Sequence, residues 1–265
     1  MLTIDQLAFD FSGRTIAITG AAGSFGKWFT NALHKAGARL ILLDQRPVEM
    51  QEALSSVEAH QVDLTRESEI ISIVDQLRER DIPVHGLINA VGMFPAARLL
   101  DVGVEFWERM FAANVTAPLL ATRVFARWMI ERNVPGSIVN LTSNSARVWK
   151  AGNIPYCASK SAAHTLSVGF ALELAEFGIR VNSVEPGYAP LPGTSPELID
   201  RVRRAMPLKA IGGPLDTAGL VMYLLSDASR LMTGTFVNID GGWPLTPAAV
   251  DPHFASVSGM RSSWS

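Results

Sequence analysis

One pattern recurs along this 265-residue chain: a short apolar run, then a stretch long enough for a helix. "TIAITG" (15–20), "RLILLD" (39–44), "HQVDLT" (60–65), "VHGLINAVG" (84–92), "GSIVNLTS" (136–143), "IRVNSVEPG" (179–187) and "TFVNIDGG" (235–242) are the strand candidates. Between them, helices are expected at "SFGKWFTNALHKAG", closed by Gly37, over about 103–132 and over about 154–177. Strands that alternate with helices imply parallel pairing, because parallel neighbours need long crossovers. The runs are apolar throughout rather than alternating, as expected where helices cover both faces of a sheet. No repeat or linker divides the chain. The expected architecture is a single doubly wound α/β domain over 1–243 with a mostly seven-stranded parallel sheet. A proline- and serine-rich tail (244–265) follows, which reads either as disordered or as anchored through Phe254 and Trp264 to a neighbouring subunit or the substrate loop.

The turn after the first strand, "TGAAGSFG" (19–26), specifies this further. Glycines at 20, 23 and 26 let the backbone turn tightly and come close to a ligand. Exposed N–H groups of Ser24 and Phe25 at the positive end of the following helix suit a pyrophosphate. Asp44 ends the next strand, 24 positions after Gly20, where a carboxylate accepts from the adenosine ribose hydroxyls. Such a sheet with such a turn is a Rossmann-type dinucleotide fold. A carboxylate at 44 repels a 2′-phosphate and so favours NAD over NADP. Arg46 is the one nearby residue that could accept a phosphate instead.

"PYCASK" (155–160) places Tyr156 and Lys160 about 40° apart around a helix, on one face. A tyrosine hydroxyl ionises near pH 10 in water. A neighbouring ammonium stabilises the phenolate, so the pair can take a proton from an alcohol while hydride leaves for a nicotinamide. By itself the spacing also fits a buried tyrosine beside a snorkelling lysine.

With these motifs the sequence resembles the short-chain dehydrogenase/reductase family, in its one-domain branch, from about residue 10 to 243. The family's Tyr-x-x-x-Lys signature stands as "YCASK", and its serine thirteen residues earlier as Ser143. Its post-strand motif stands as "NAVG" (89–92), its helix asparagine as Asn114, its adenine-contacting acid as Asp63 in "VDLT", and its later turns as Pro186-Gly187 and Asp240 to Gly242. The resemblance implies that Tyr156 is the general acid/base and that Lys160 lowers its pKa and holds the nicotinamide ribose. It implies that Ser143 binds the substrate oxygen and that Asn114 shapes the long helix. It places Gly20, Gly23, Ser24, Phe25, Gly26, Asp44, Asp63, Leu64, Asn89, Ala90, Pro186 and Gly187 at the cofactor. Three positions depart from the pattern: Ser24 replaces the middle glycine, Gly23 stands where NADP-preferring members often have a basic residue, and Leu191 stands where a threonine is usual, with Thr194 nearby.

The expected substrate is a small to medium, mostly apolar or cyclic alcohol or ketone. Its expected walls are Val91, Met93 and Phe94, then Ser145, Arg147 and Trp149, then Tyr188 to Pro192. Two other readings remain at this stage: an NADPH-dependent 3-oxoacyl-carrier-protein-type ketoreductase, and a non-catalytic NAD-binding redox sensor. A net charge of -2 gives no case for nucleic acid or an anionic membrane. No apolar run approaches the ~18 residues of a membrane span, and no metal is expected. The single cysteine, Cys157, excludes an internal disulfide and fits a reducing cytoplasm. The helix near 103–132 is apolar around more than one face, from Phe106, Trp107, Met110 and Phe111 to Leu119, Leu120, Val124, Phe125, Trp128 and Met129. That surface predicts a homo-oligomer, a tetramer by the family resemblance.

Overall fold

The computed structural model describes residues 9–48, 56–149, 151–190 and 193–245. Seven strands form one parallel sheet: β1 (Thr15–Thr19), β2 (Arg39–Asp44), β3 (Val57–Gln61), β4 (Gly86–Asn89), β5 (Ser137–Leu141), β6 (Arg180–Pro186) and β7 (Phe236–Ile239). Their order is β3-β2-β1-β4-β5-β6-β7. The order reverses between β1 and β4, so a crevice opens at the carboxyl ends of those two strands, where ligands bind in such sheets.

Central strands are apolar throughout because alternate residues feed two different cores. Ile41, Leu43, Leu87, Ile138 and Val181 pack with α2 (Glu67–Glu79), α4 (Ala117–Glu131) and α5 (Ile154–Leu174). Ile16, Ile18, Leu40, Leu42, Ile88, Val139 and Val184 pack with α1 (Ser24–Lys35) and α7 (Pro214–Leu225). Burying each Ile, Leu or Val is worth about 1.5–3 kcal/mol, so neither face tolerates a polar interruption without a partner. The edge strand β3 differs: only Val57 is fully buried along it. It also lies earlier than "HQVDLT". Asp63 ends it by accepting from the Thr65 N–H at 2.9 Å and the Thr65 hydroxyl at 2.7 Å, which turns the chain and sends Leu64 into the core.

A row of polar residues closes the carboxyl end of the sheet. Thr19, Asn89, Asn140 and Ser183 occupy one register across β1, β4, β5 and β6. The Asn89 amide donates to Thr122 Oγ1 (2.9 Å) and Asn140 Oδ1 (2.8 Å), and the Asn140 amide donates to Ser167 Oγ on α5 (2.8 Å). These bonds satisfy groups that would otherwise cost about 1–3 kcal/mol each when buried. They fix the strand ends relative to α4 and α5.

The expected single helix over 103–132 is instead α3 (Val104–Phe111), a five-residue π-type turn (Ala112–Thr116) and α4. Asn114 lies in that turn and is 1 % exposed. Most of the apolar surface of α4 is covered within the subunit: Val124, Phe125, Trp128 and Met129 are buried, and the Trp128 indole donates to the Ile82 carbonyl. The uncovered apolar residues lie further upstream, at Leu99, Leu100, Val104 and Trp107. The remaining helix, α6 (Pro196–Ala205), falls with α7 in a stretch between the last two strands that periodicity leaves unassigned. Among the described residues, no helix is long and apolar enough to cross a membrane. Residues 246–265, with Phe254 and Trp264, lie outside the described residues, as do Leu191 and Pro192.

Candidate active site

The glycine turn joins β1 to α1 at the crevice. Gly20 has φ +70°, and a Cβ there would come to 2.7 Å from the Ala90 carbonyl carbon. A Cβ on Gly26 would overlap the Gly20 carbonyl and the Ala21 backbone. Only glycine keeps the two turns this close. Gly23 precedes the first turn of α1 with no side-chain cap, so the N–H groups of Ser24 and Phe25 are left without a side-chain partner at the positive helix end. Asp44 is 4 % exposed and is bound to this turn. Its Oδ2 accepts from the Ala22 N–H at 3.0 Å, and its Oδ1 accepts from the Arg46 N–H at 2.9 Å. The carboxylate is thereby held in orientation, with lone pairs left over for ribose hydroxyls. These features fit a dinucleotide: a donor-lined cradle without side chains, and a fixed carboxylate at its edge.

Three residues converge further along the crevice. Ser143 follows β5, and its hydroxyl accepts from the Ser145 N–H at 3.2 Å. The Ser143 side chain lies near enough to the Tyr156 phenol to favour its ionised form. One turn along α5, Lys160 is 5 % exposed; its Nζ lies 5.9 Å from the Tyr156 ring centroid and donates to the Leu141 carbonyl at 2.9 Å.

Residues 20–244 match the family model described as enoyl-(acyl carrier protein) reductase. The chain is 32% identical over 249 residues to galactitol 2-dehydrogenase (L-tagatose-forming) of Cereibacter sphaeroides, covering 90% of this chain and 98% of that one. It is 30% identical to L-xylulose reductase of Caenorhabditis elegans, covering 89% and 97%. A short chain dehydrogenase from Leptospira borgpetersenii, solved with bound NAD+, superposes with a TM-score of 0.83 at 26% identity, covering 92% and 96%. The chain belongs to the short-chain dehydrogenase/reductase family.

Several parts of this dehydrogenase's site differ from what motif spacing suggests. The Asn89 side chain is engaged inside the sheet, so what it can present to a cofactor is main chain. The Ala90 N–H also turns inward, to Thr19 (3.2 Å). Leu64 is core, and Asp63 is held by Thr65. Asn114 clamps the Met93 backbone, accepting from its N–H and donating to its carbonyl, each at 2.8 Å. It also donates to Ser159 Oγ (2.9 Å), which in turn donates to the Tyr156 carbonyl (2.7 Å). No motif marks Ser159, yet it couples the π-type turn to the helix that carries Tyr156.

At the later turn, a Cβ on Gly187 would reach 2.5 Å from Asp240 Cα, so the Pro186-Gly187 turn and the Asp240 backbone pack directly on one another. Of the proposed substrate contacts, Phe94 is 57% exposed and packs edge-on to Tyr156 at 6.4 Å. Trp149 is 69% exposed. Ser145 is buried and acts through its N–H. Tyr188 packs against a small cluster of Val202, Met206 and Trp243.

Ionisation follows burial here. Desolvation by burial pushes the Tyr156 phenol up, the Ser143 side chain pulls it down, and Cys157 adds a smaller upward push. Lys160 does not reverse this, because burial also brings its own ammonium down to about 8. Against the ordinary lysine value of 10.5, that is a penalty of about 3 kcal/mol on the charged form. The penalty is fully present below about pH 8. It is relieved as pH rises toward 10.5, where the folded chain has lost a proton that the unfolded chain keeps. Lys160→Met is therefore expected to raise unfolding stability at pH 7 by about 1–3 kcal/mol, with the gain shrinking toward pH 10. Denaturant melts of both proteins at the two pH values check this. A loss of stability at pH 7, or a gain indifferent to pH, contradicts it.

Proposed function

We propose that this protein oxidises a neutral secondary alcohol to a ketone, reversibly, with NAD, using Tyr156 as the proton acceptor and donor. The observation that carries the reading is the buried Lys160 ammonium 5.9 Å from the Tyr156 ring, with buried Ser143 acting on the same phenol. When bound, the nicotinamide supplies the hydride acceptor and a positive charge near the phenol. Ser143 donates to the substrate oxygen. The hydroxyl proton passes to the Tyr156 oxygen as the carbinol C–H gives up its hydride, and in reduction both transfers reverse. With a phenol pushed up by burial, the chain is set to donate a proton, and positive charge nearby is what makes it an acceptor.

Support for NAD comes from the buried Asp44 carboxylate at the edge of the glycine turn, and from the NAD+ bound in the superposed Leptospira relative. Support for a neutral substrate comes from Arg147, whose guanidinium is already paired with Glu185, and from the exposed Phe94 and Trp149 rings. The galactitol relative's name places its oxidation at a secondary carbon. The exposed apolar strip at Leu99, Leu100, Val104 and Trp107 supports a homo-oligomer, read as a tetramer in the cytoplasm. Sedimentation at micromolar concentration is expected to show an assembly, and a monomer contradicts it.

Tyr156→Phe is expected to lower kcat on any alcohol that the wild type oxidises by about 10²–10⁴-fold, while NADH affinity stays within a few-fold. Steady-state assays with fluorescence titration of NADH check this. Turnover equal to wild type removes the tyrosine from the mechanism, and better turnover with NADP than with NAD removes the cofactor assignment.

A further inference from the structure

Glu185 is the penultimate residue of β6 and is 0% exposed, an unusual place for a carboxylate. Its Oε2 is paired with the Arg147 guanidinium, which also donates to Asn238 on β7 at 2.9 Å. Its Oε1 faces His164 Nδ1 on α5 at 3.6 Å, and neither atom has a hydrogen-bond partner. The His164 ring lies flat on Phe236, with centroids 3.3 Å apart. A buried carboxylate with a single strong partner leaves an uncompensated charge if that partner is lost, so the position of Arg147 is tightly constrained.

Chain positions give this pair its meaning. Thr142, just before Ser143, donates its N–H to the Val184 carbonyl at 3.0 Å. Arg147, four residues after Ser143, holds Glu185. The turn that carries Ser143 is thus attached at both ends to β6, immediately before Pro186-Gly187. Between the two attachments the turn is tight: the Ala146 N–H reaches the Ser143 carbonyl, and the Ala146 carbonyl accepts from Ser161 on α5 at 2.8 Å.

We propose that the Arg147–Glu185 ion pair is a positioning device that sets the Ser143 turn and the Pro186-Gly187 turn as one unit, so that the substrate-oxygen donor and the cofactor-facing turn keep a fixed separation. The inference rests on the dehydrogenase reading above. Neither residue touches the reacting atoms. Both act through the two turns, and a displacement of about 1 Å between reacting groups can lower rate by about 10²-fold.

The test uses the full chain, with an alcohol that the wild type oxidises. Arg147→Met is expected to lower kcat about 10- to 100-fold and to weaken NADH binding several-fold. Glu185→Gln is expected to have a similar effect, and the double variant to be no worse than the worse single one, because one interaction is removed in all three. Arg147→Lys keeps the charge but on a shorter side chain with a differently shaped head group, which reaches Glu185 and Asn238 less well, so an intermediate loss of about 3- to 10-fold in kcat is expected. If the folded Met variant melts earlier but keeps kcat and NADH affinity within two-fold of wild type, the pair is only a stabiliser and the proposal fails. Should Arg147→Met not fold, the Lys variant decides: wild-type kcat in it overturns the proposal, and the intermediate loss supports it. A wild type that reduces no NAD with any secondary alcohol fails the functional reading itself. The NADH-binding arm still reports on the pair in that case.

Discussion

A lysine ammonium with 5 % of its surface exposed and one carbonyl partner is a costly group to fold, and the site is arranged around it. Lys160 reaches this position because α5 lies across the carboxyl end of β5, where Leu141 offers its last strand carbonyl. The Asn140–Ser167 hydrogen bond holds the helix there. The same placement sets Tyr156 one turn earlier, beside Ser143. Sheet, helix and site are therefore joined by a few buried polar contacts at one edge of two apolar cores.

The second constraint is close backbone approach. Gly20, Gly26 and Gly187 each sit where a side chain would meet another backbone, so the turns that line the crevice cannot be loosened independently. Asp44 adds a tie from β2 to the first turn through the Ala22 N–H. The outcome is a crevice whose donors and acceptors are set before anything binds, which is how positioning lowers a barrier.

Much of this was legible in the sequence because it depends on neighbours a few residues apart. Apolar runs, a glycine turn, and Tyr156 and Lys160 one turn apart are local patterns, and six of the seven expected strands fall where their runs lie. β3 was displaced because Val62 and Leu64 look like strand residues but flank Asp63 and enter the core as the chain turns there. The clamp of Asn114, in the π-type turn, onto the Met93 backbone was hidden because the two lie 21 residues apart. The inward turn of Asn89 and the Arg147–Glu185 pair, 38 residues apart, were equally unreadable. Each depends on strands that become adjacent only after folding. The balance at Tyr156 was equally unreadable: spacing shows a nearby cation but not the burial that raises the phenol in the protein alone.

In the proposed mechanism, positive charge brought to the crevice, rather than Lys160 alone, makes the Tyr156 phenol a usable base. Ultraviolet difference titration of the phenols with and without saturating NAD+, with Tyr156→Phe identifying the signal, tests it most directly. The account predicts that Tyr156 ionises above the ordinary tyrosine range in the protein alone and moves down toward neutrality with NAD+ bound. The same midpoint in both titrations contradicts it.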